Sequence, residues 1–107
     1  MMIYEALEGL GVPVCHPPYM GSEDTYITYQ ILGQEGQIYA EGNEAETAVS
    51  YAVNIFAGAF SGALLEAVLT ALREEGYIAT VEMETYDKET AQTQISITAT
   101  IEGAAYG

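Results

Sequence analysis

The sequence feature that most constrains the fold is an alternation of apolar and polar side chains that recurs along the chain. Within residues 47–57, Val49, Tyr51, Val53 and Ile55 alternate with smaller or polar residues. Because successive side chains of a β-strand point to opposite faces, this segment is predicted to be a strand with one buried face. Three further segments share the pattern: residues 26–32, 77–86 and 94–101. The chain therefore needs a sheet whose apolar side is covered by other elements.

Two segments show helical spacing instead. The first, residues 3–10, is short and amphipathic, and glycines and Pro13 end it. In the second, apolar side chains between residues 64 and 72 form a wide stripe with charged residues outside it. Ser61 is the expected N-cap of this helix, and Gly76 stands where a glycine commonly ends one.

The remaining segments connect these elements. Residues 13–24 contain three prolines and are predicted to form an extended surface loop. Residues 34–37 are predicted to form a hairpin turn and residues 38–40 a short return strand. The order is α-β-β-β-α-β-β, and the predicted class is α+β, an antiparallel sheet with two helices packed on one face. We expect residues 1–107 to form one domain, with a loose tail at 103–107.

The alternation also sorts the side chains into a core and an outer sheet face. The predicted core is Val53, Ile55, Leu65, Val68, Leu69, Leu72, Val81, Ile95 and Ile97. The outer face is predicted to be polar and to carry Thr28, Gln30, Ser50, Asn54, Glu82, Glu84, Gln94, Ser96, Thr98 and Thr100. Such a face suits water or a polar partner.

The charge balance excludes whole classes of function. Sixteen acidic residues against only Arg73 and Lys88 give a formal net charge of −14. Such a surface repels phosphates, which argues against direct nucleic-acid binding and against docking on an anionic membrane. Half of the residues are hydrophobic, so the chain can still bury a core and is not expected to be a disordered acidic tail. No secretion signal or membrane-span pattern is seen, which predicts synthesis in a reducing cytoplasm.

No arrangement of residues predicts catalysis or a cofactor. Cys15 and His16 are adjacent, but neighbouring side chains usually point apart, so an incidental loop pair is favoured over a nucleophile and its base. Residues 33–36 lack the lysine and spacing of a phosphate-binding loop. The oxygen-bearing side chains in residues 41–46 could hold a divalent cation, but their spacing differs from the EF-hand pattern and a solvated turn is favoured. The sequence therefore predicts a non-enzymatic protein without a bound metal.

Several segments, taken in order, resemble the small tail-completion, or tail-terminator, proteins of long-tailed bacteriophages and prophages. The resemblance is carried by the order of elements and by residues 3–7, 11–14, 26–29, 39–43, 51–56, 72–77 and 86–87. It covers most of the chain, although no single motif is specific. The chain departs from the family in its acidity and in residues 22–25, where a proline is common before the first strand.

The resemblance implies a structural protein of the virion tail, made in the bacterial cytoplasm. Such proteins form a ring, typically a hexamer, at the head-proximal end of the tail tube, where they stop tube polymerisation and join the neck. The implied partners are further copies of the chain, the tail-tube protein and a neck or connector protein, with DNA only passing through the lumen and no membrane. The candidate subunit-contact residues lie in two predicted turns: Glu35, Tyr39, Glu41, Asn43, Glu44 and Glu46.

A second interpretation is a free acidic α+β binding module, such as a DNA-mimic inhibitor. It requires acidic groups arrayed on one face at phosphate-like spacing. The acidic residues of the second helix, the hairpin tips and the Glu82–Glu84 pair are predicted to project in different directions. This argues mildly against a mimic.

Overall fold

The computed structural model describes residues 3–36, 47–58 and 62–102, and these form an α+β fold. The helices are α1 (Ile3–Leu7), followed by a 3-10 turn (Glu8–Leu10), and α2 (Gly62–Glu74). The strands are β1 (Val14–Cys15), β2 (Tyr26–Gly36), β3 (Thr47–Ala57), β4 (Ile78–Asp87) and β5 (Gln92–Glu102). The predicted fold class is confirmed.

The five strands form one sheet in the order β1-β2-β3-β5-β4. The pairs β2–β3, β3–β5 and β5–β4 are antiparallel, as predicted. The prediction of a loop throughout residues 13–24 is wrong at β1, which pairs in parallel with Ile27 and Thr28 and makes the sheet mixed. The Ile27 amide also donates to the Pro13 carbonyl oxygen at 2.8 Å. A two-residue strand is too short for alternation to reveal.

A second correction concerns the end of β2. The predicted turn at residues 34–37 does not begin there, because β2 continues to Gly36, which pairs with Thr47. A bulge at Leu32, between Ile31 and Gly33, lets the ladder continue beyond the predicted end of the strand. Pairing with β3 thus overrides the local turn preference. The predicted return strand at 38–40 lies outside the described residues.

The C-terminal end of α2 confirms the role predicted for its glycine. Gly76 has a φ of +96°, a left-handed conformation that is sterically unfavourable for any residue with a Cβ atom. The Tyr77 amide donates to the Leu72 carbonyl at 3.0 Å and the Gly76 amide donates to the Arg73 carbonyl at 3.1 Å. These two bonds make a Schellman motif, which directs the chain from the helix into β4. The expected N-cap, Ser61, lies outside the described residues.

The helices and the inward sheet face share one hydrophobic core. Seven of the nine predicted core residues are buried in it: Val53, Ile55, Val68, Leu69, Leu72, Ile95 and Ile97. Leu65 is half-buried and packs against this cluster. Six further members of the core are not among the nine predicted core residues: Ile3, Leu7, Ile27, Tyr77, Ala79 and Ala99.

Val81 is the one predicted core residue that the structure contradicts, since it is 43% exposed. It lies on β4, the last strand of the sheet, directly before a bulge at Glu82. A ten-residue strand spans about 33 Å, whereas a thirteen-residue helix spans about 20 Å. Helix α2 is therefore too short to cover the whole length of β4.

Leu69→Ala is expected to reduce the free energy of unfolding by about 2 to 5 kcal/mol, because it removes buried methyl groups and leaves a cavity. Denaturant titration measures this loss. Thr70→Ala, at the exposed neighbouring position, is the matched control and should change stability by less than about 0.5 kcal/mol. A Leu69→Ala effect as small as that of the control would contradict the packing of α2 on the sheet.

Candidate functional site

Of the predicted contact residues, only Glu35 lies among the described residues. Glu35 lies within β2 and pairs with Ala48, so it is not at the tip of a hairpin turn as predicted. Tyr39, Glu41, Asn43, Glu44 and Glu46 lie outside the described residues, and their role stays a prediction. The features suited to assembly are instead found at the two edges of the sheet.

The first edge is β4. It pairs with β5 on one side, and no other described strand pairs with its second side. Its side chains include exposed apolar groups at Ile78 (65% exposed), Val81, Met83 and Tyr86. An open strand offers unpaired backbone donors and acceptors to another chain, and natural proteins usually protect such an edge. Edge β4 is therefore a candidate contact surface.

The second edge is the outer side of β2. The short strand β1 covers it only at Ile27 and Thr28, and from Tyr29 to Gly36 no described strand pairs with this side. Ile31 and Leu32 on this stretch are 55% and 56% exposed. The sheet thus has an open edge on each side, both with exposed apolar side chains.

The register places Ile78 of β4 and Leu32 of β2 at the same end of the sheet, whereas Met83 and Tyr86 lie toward the other end. Going across the strands from β4, Ala79 pairs with Ala99, Ala99 with Tyr51, and Tyr51 with Ile31. Ile78 therefore lies at the same level as Gly33, directly after Leu32. An edge contact between neighbouring copies could bring these groups together without a large shift along the strands.

The outer face between the two edges is polar, as predicted. The Asn54 Oδ1 atom accepts from Ser96 Oγ at 2.8 Å and from Gln94 Nε2 at 3.2 Å. The Ser50 and Thr100 hydroxyl groups lie 2.9 Å apart and share a hydrogen bond. These bonds join β3 to β5 and form a network of cross-strand hydrogen bonds on the outer face.

The placement of acidic residues on this face is corrected by the bulge in β4. Glu82 sits at the bulge, and Glu84 pairs with Ile95, whose side chain is in the core. Since paired residues share a face, Glu84 belongs to the helix side of the sheet. Met83 pairs with Ser96 and takes the outer position instead. Two rows of paired outer positions cross the centre of the sheet and carry no charged side chain: Thr28, Asn54, Ser96 and Met83, and Gln30, Ala52, Thr98 and Thr80.

One end of the outer face is built from aromatic rings. Tyr19 stacks on Tyr26 with ring centroids 4.0 Å apart, and Tyr26 stacks on Phe56 at 4.8 Å. The Gln92 side-chain Nε2 atom donates to the Asp24 backbone carbonyl oxygen at 3.0 Å. These contacts attach the proline-containing loop to the sheet, which explains why a segment with loop composition is ordered.

Cys15 and His16 lie at and directly after the short strand β1. The His16 ring packs on Tyr29 with centroids 4.4 Å apart, and Cys15 is a half-buried member of β1. In the part of the chain that the structure describes, no group of three or more His, Cys, Asp or Glu side chains could hold a metal ion. The acidic segment 41–46 is not among those residues.

Two tyrosines have perturbed acidity. Burial raises the pKa of the Tyr77 phenol, and burial also raises the pKa of the Tyr29 phenol, with the nearby Tyr51 adding to both shifts. Tyr51 and Tyr77 meet edge to face, with centroids 6.2 Å apart. Both tyrosines therefore favour the neutral form in the folded state. The free energy of unfolding consequently depends on pH in the range where these phenols ionise.

Comparison with known proteins gives information about the fold. No protein-family model and no curated protein sequence matches the chain. Among solved structures, a chain in the virion of a native gene transfer agent (GTA) particle is similar, with a TM-score of 0.54 and 14% sequence identity. The two chains share a fold. The similarity covers 95% of this chain and 92% of that chain, so it includes the whole architecture and not one supersecondary unit.

No helix within residues 3–36, 47–58 and 62–102 is long and apolar enough to cross a bilayer.

Alkaline pH is expected to destabilise the fold through the buried tyrosines. A phenol whose pKa is raised on folding contributes its full stability below the unfolded pKa of about 10, and this contribution is lost as pH rises above that value. Tyr77→Phe should therefore reduce the fall in unfolding free energy between about pH 8 and pH 11. Denaturant titrations at several pH values measure this slope. Tyr86→Phe, at an exposed position, should follow the unmodified chain; equal slopes for all three would contradict the proposed linkage.

Proposed function

We propose that this chain is a non-enzymatic structural virion protein that forms a ring at the head-proximal end of a phage tail tube. There it would stop tube polymerisation and present a surface to the neck. The observation that carries this proposal is the fold, which is shared along 95% of the chain with a component of a gene transfer agent virion, a phage-like particle. The resemblance of its sequence segments to tail-terminator proteins supports the finer assignment.

The two open edges support assembly into a ring. A ring needs two different patches on each subunit that meet by rotation, whereas a two-fold dimer uses one patch twice. The β4 edge and the β2 edge are different patches on opposite sides of one sheet. Both carry exposed apolar side chains, which are a common basis of protein contacts. A hexamer is the size that the family resemblance favours.

The charge of the chain suits a ring through which DNA passes. A formal charge of −14 on each copy repels phosphate groups, so DNA could move through the lumen without binding. The same charge opposes the approach of identical subunits. Assembly would therefore depend on screening of this repulsion or on the tail-tube protein, which together with a neck protein is the proposed partner.

Ionic strength should shift the assembly state. We expect a monomer or weak oligomer in dilute low-salt buffer and a closed oligomer at about 1 M salt, because the Debye length falls from about 30 Å at 0.01 M to about 3 Å at 1 M. Sedimentation velocity across a salt series measures the mass. Parallel circular dichroism spectra control for unfolding at low salt.

Two outcomes separate the candidate functions. A closed species of fixed mass supports a ring, and electron microscopy of that fraction would show whether it has a lumen. A strict monomer at every salt concentration, also in the presence of tail-tube protein, would contradict the ring and favour a free acidic binding module.

A further inference from the structure

We propose that neighbouring subunits join edge to edge, with β4 of one copy adding to the open stretch of β2, residues 29–36, in the next copy. This inference rests on the proposed ring and specifies its contact. The occupant of each edge is a second copy of this chain, and the contact is heterologous, because two different edges meet.

Strand direction makes this pairing antiparallel. The ladder is antiparallel from β2 to β3, from β3 to β5 and from β5 to β4, so β2 and β4 run in opposite directions within one subunit. A rotation about an axis close to the strand direction preserves the direction of each strand. Strand β4 therefore meets β2 of the next subunit in antiparallel orientation, and the ladder pattern of the sheet continues across the contact.

The apolar side chains match across this contact. Ile78 and Val81 are exposed in the first half of β4, and Ile31 and Leu32 are exposed on the open stretch of β2. Following the pairs across the sheet, Ile78 lies at the level of Gly33, next to Leu32, and Val81 lies at the level of Tyr29, two residues before Ile31. Rotation without a large shift along the strands thus buries apolar groups against apolar groups, which drives association more effectively than polar contact.

Acidic residues select the mixed contact over pairing of β4 with itself. Strand β4 carries Glu82, Glu84 and Asp87, whereas residues 29–36 contain only Glu35. Two β4 edges would place three acidic residues opposite three, and like charges facing each other across strands are destabilising. In the mixed contact, three acidic residues meet a stretch with one. The pairing of Glu35 with Ala48, and of Ala48 with Glu102, places Glu35 beyond the β4 end that begins at Ile78.

Two features keep the contact short. Strand β1 occupies the β2 edge at Ile27 and Thr28, so an incoming strand has access only to the residues that follow. Each edge also carries a bulge, at Leu32 in β2 and at Glu82 in β4, and bulges at sheet edges limit uncontrolled pairing. A single contact of this length is weak, but closing a ring gives every subunit two of them. This fits assembly that depends on ionic strength.

The test uses two variants of the full chain, each with one edge blocked. The β4 variant carries Ile78→Lys and Val81→Lys, and the β2 variant carries Ile31→Lys and Leu32→Lys. Lysine is a residue with which natural sheets protect open edges, and all four positions are exposed in the monomer. Thr70→Lys, on the exposed side of α2, is the control for added positive charge. If a lysine pair unfolds the chain, threonine replaces lysine at the same positions.

Each blocked variant alone is expected to associate at least about tenfold more weakly than the unmodified chain at about 1 M salt. An equimolar mixture of the two variants should form a 1:1 dimer, because the intact β2 edge of one variant can still bind the intact β4 edge of the other. That dimer cannot grow, since its two remaining edges are blocked. Native mass spectrometry and sedimentation velocity detect it.

The alternatives give different results. Dimers of the β4 variant alone would indicate β2–β2 pairing, and dimers of the β2 variant alone would indicate β4–β4 pairing; either overturns the inference. If the unmodified chain forms an oligomer that neither blocked variant alters, the edge contact is wrong while the proposed ring survives. If the unmodified chain stays monomeric under all conditions, the ring itself is contradicted.

Discussion

The structure depends on a mismatch between a long sheet and two short helices. Strands of ten or eleven residues span about 33 to 37 Å, whereas the thirteen-residue helix α2 spans about 20 Å and α1 about one and a half turns. The helices bury the centre of the inward sheet face. They leave part of each of the two edge strands, β2 and β4, uncovered. The exposure of Val81 and Ile31, which lie on the inward face, follows from this mismatch. Ile78 pairs with Thr100 and is exposed on the outer face, which the described helices do not cover. An isolated subunit therefore leaves apolar surface for which its own chain supplies no cover among the described residues.

The distribution of charge complements this surface. Most acidic residues in the described part of the chain lie on or next to the helices, in the proline-containing loop, in β4 from Glu82 onward and in the β4–β5 turn, whereas Glu35 and Glu102 lie in β2 and β5. The centre of the outer sheet face is uncharged and held by hydrogen bonds between β3 and β5. In the assembly that we propose, apolar attraction at the two edges would be opposed by repulsion between whole subunits, and ionic strength would decide the balance between them.

Much of the fold could be predicted from local pattern, because alternation and helical spacing report directly on which face is buried. The strand β3, the helix α2 and its terminal Gly76 all follow from such signals. Glu84 was misplaced because the bulge at Glu82 changes the face of every later residue in β4. Val81 precedes the bulge and pairs with Ile97 on the core side, but it lies on an edge strand whose whole length α2 does not cover. In this segment, the alternating pattern of apolar and polar residues does not indicate where a bulge lies.

The edges of the sheet were harder to predict than the core. The contact sites predicted from the family resemblance lie in turns, and their role stays a prediction; the contact that we propose is at the edges of the sheet. An edge is a property of strand order, and the insertion of β5 between β3 and β4 is decided by the whole chain. The exposed apolar groups at Ile31 and Val81 look like ordinary core positions in the sequence. Only the order of strands distinguishes them from buried ones.

Hydrogen exchange of backbone amides, compared between the monomer and the assembled state, is the most direct test of the proposed contact between β4 and β2. Amides that gain a partner across a strand contact exchange more slowly. We expect residues 29–36 and 78–83 to become more protected from exchange on assembly, with little change in α2. Increased protection confined to the helices, with neither sheet edge affected, would contradict it.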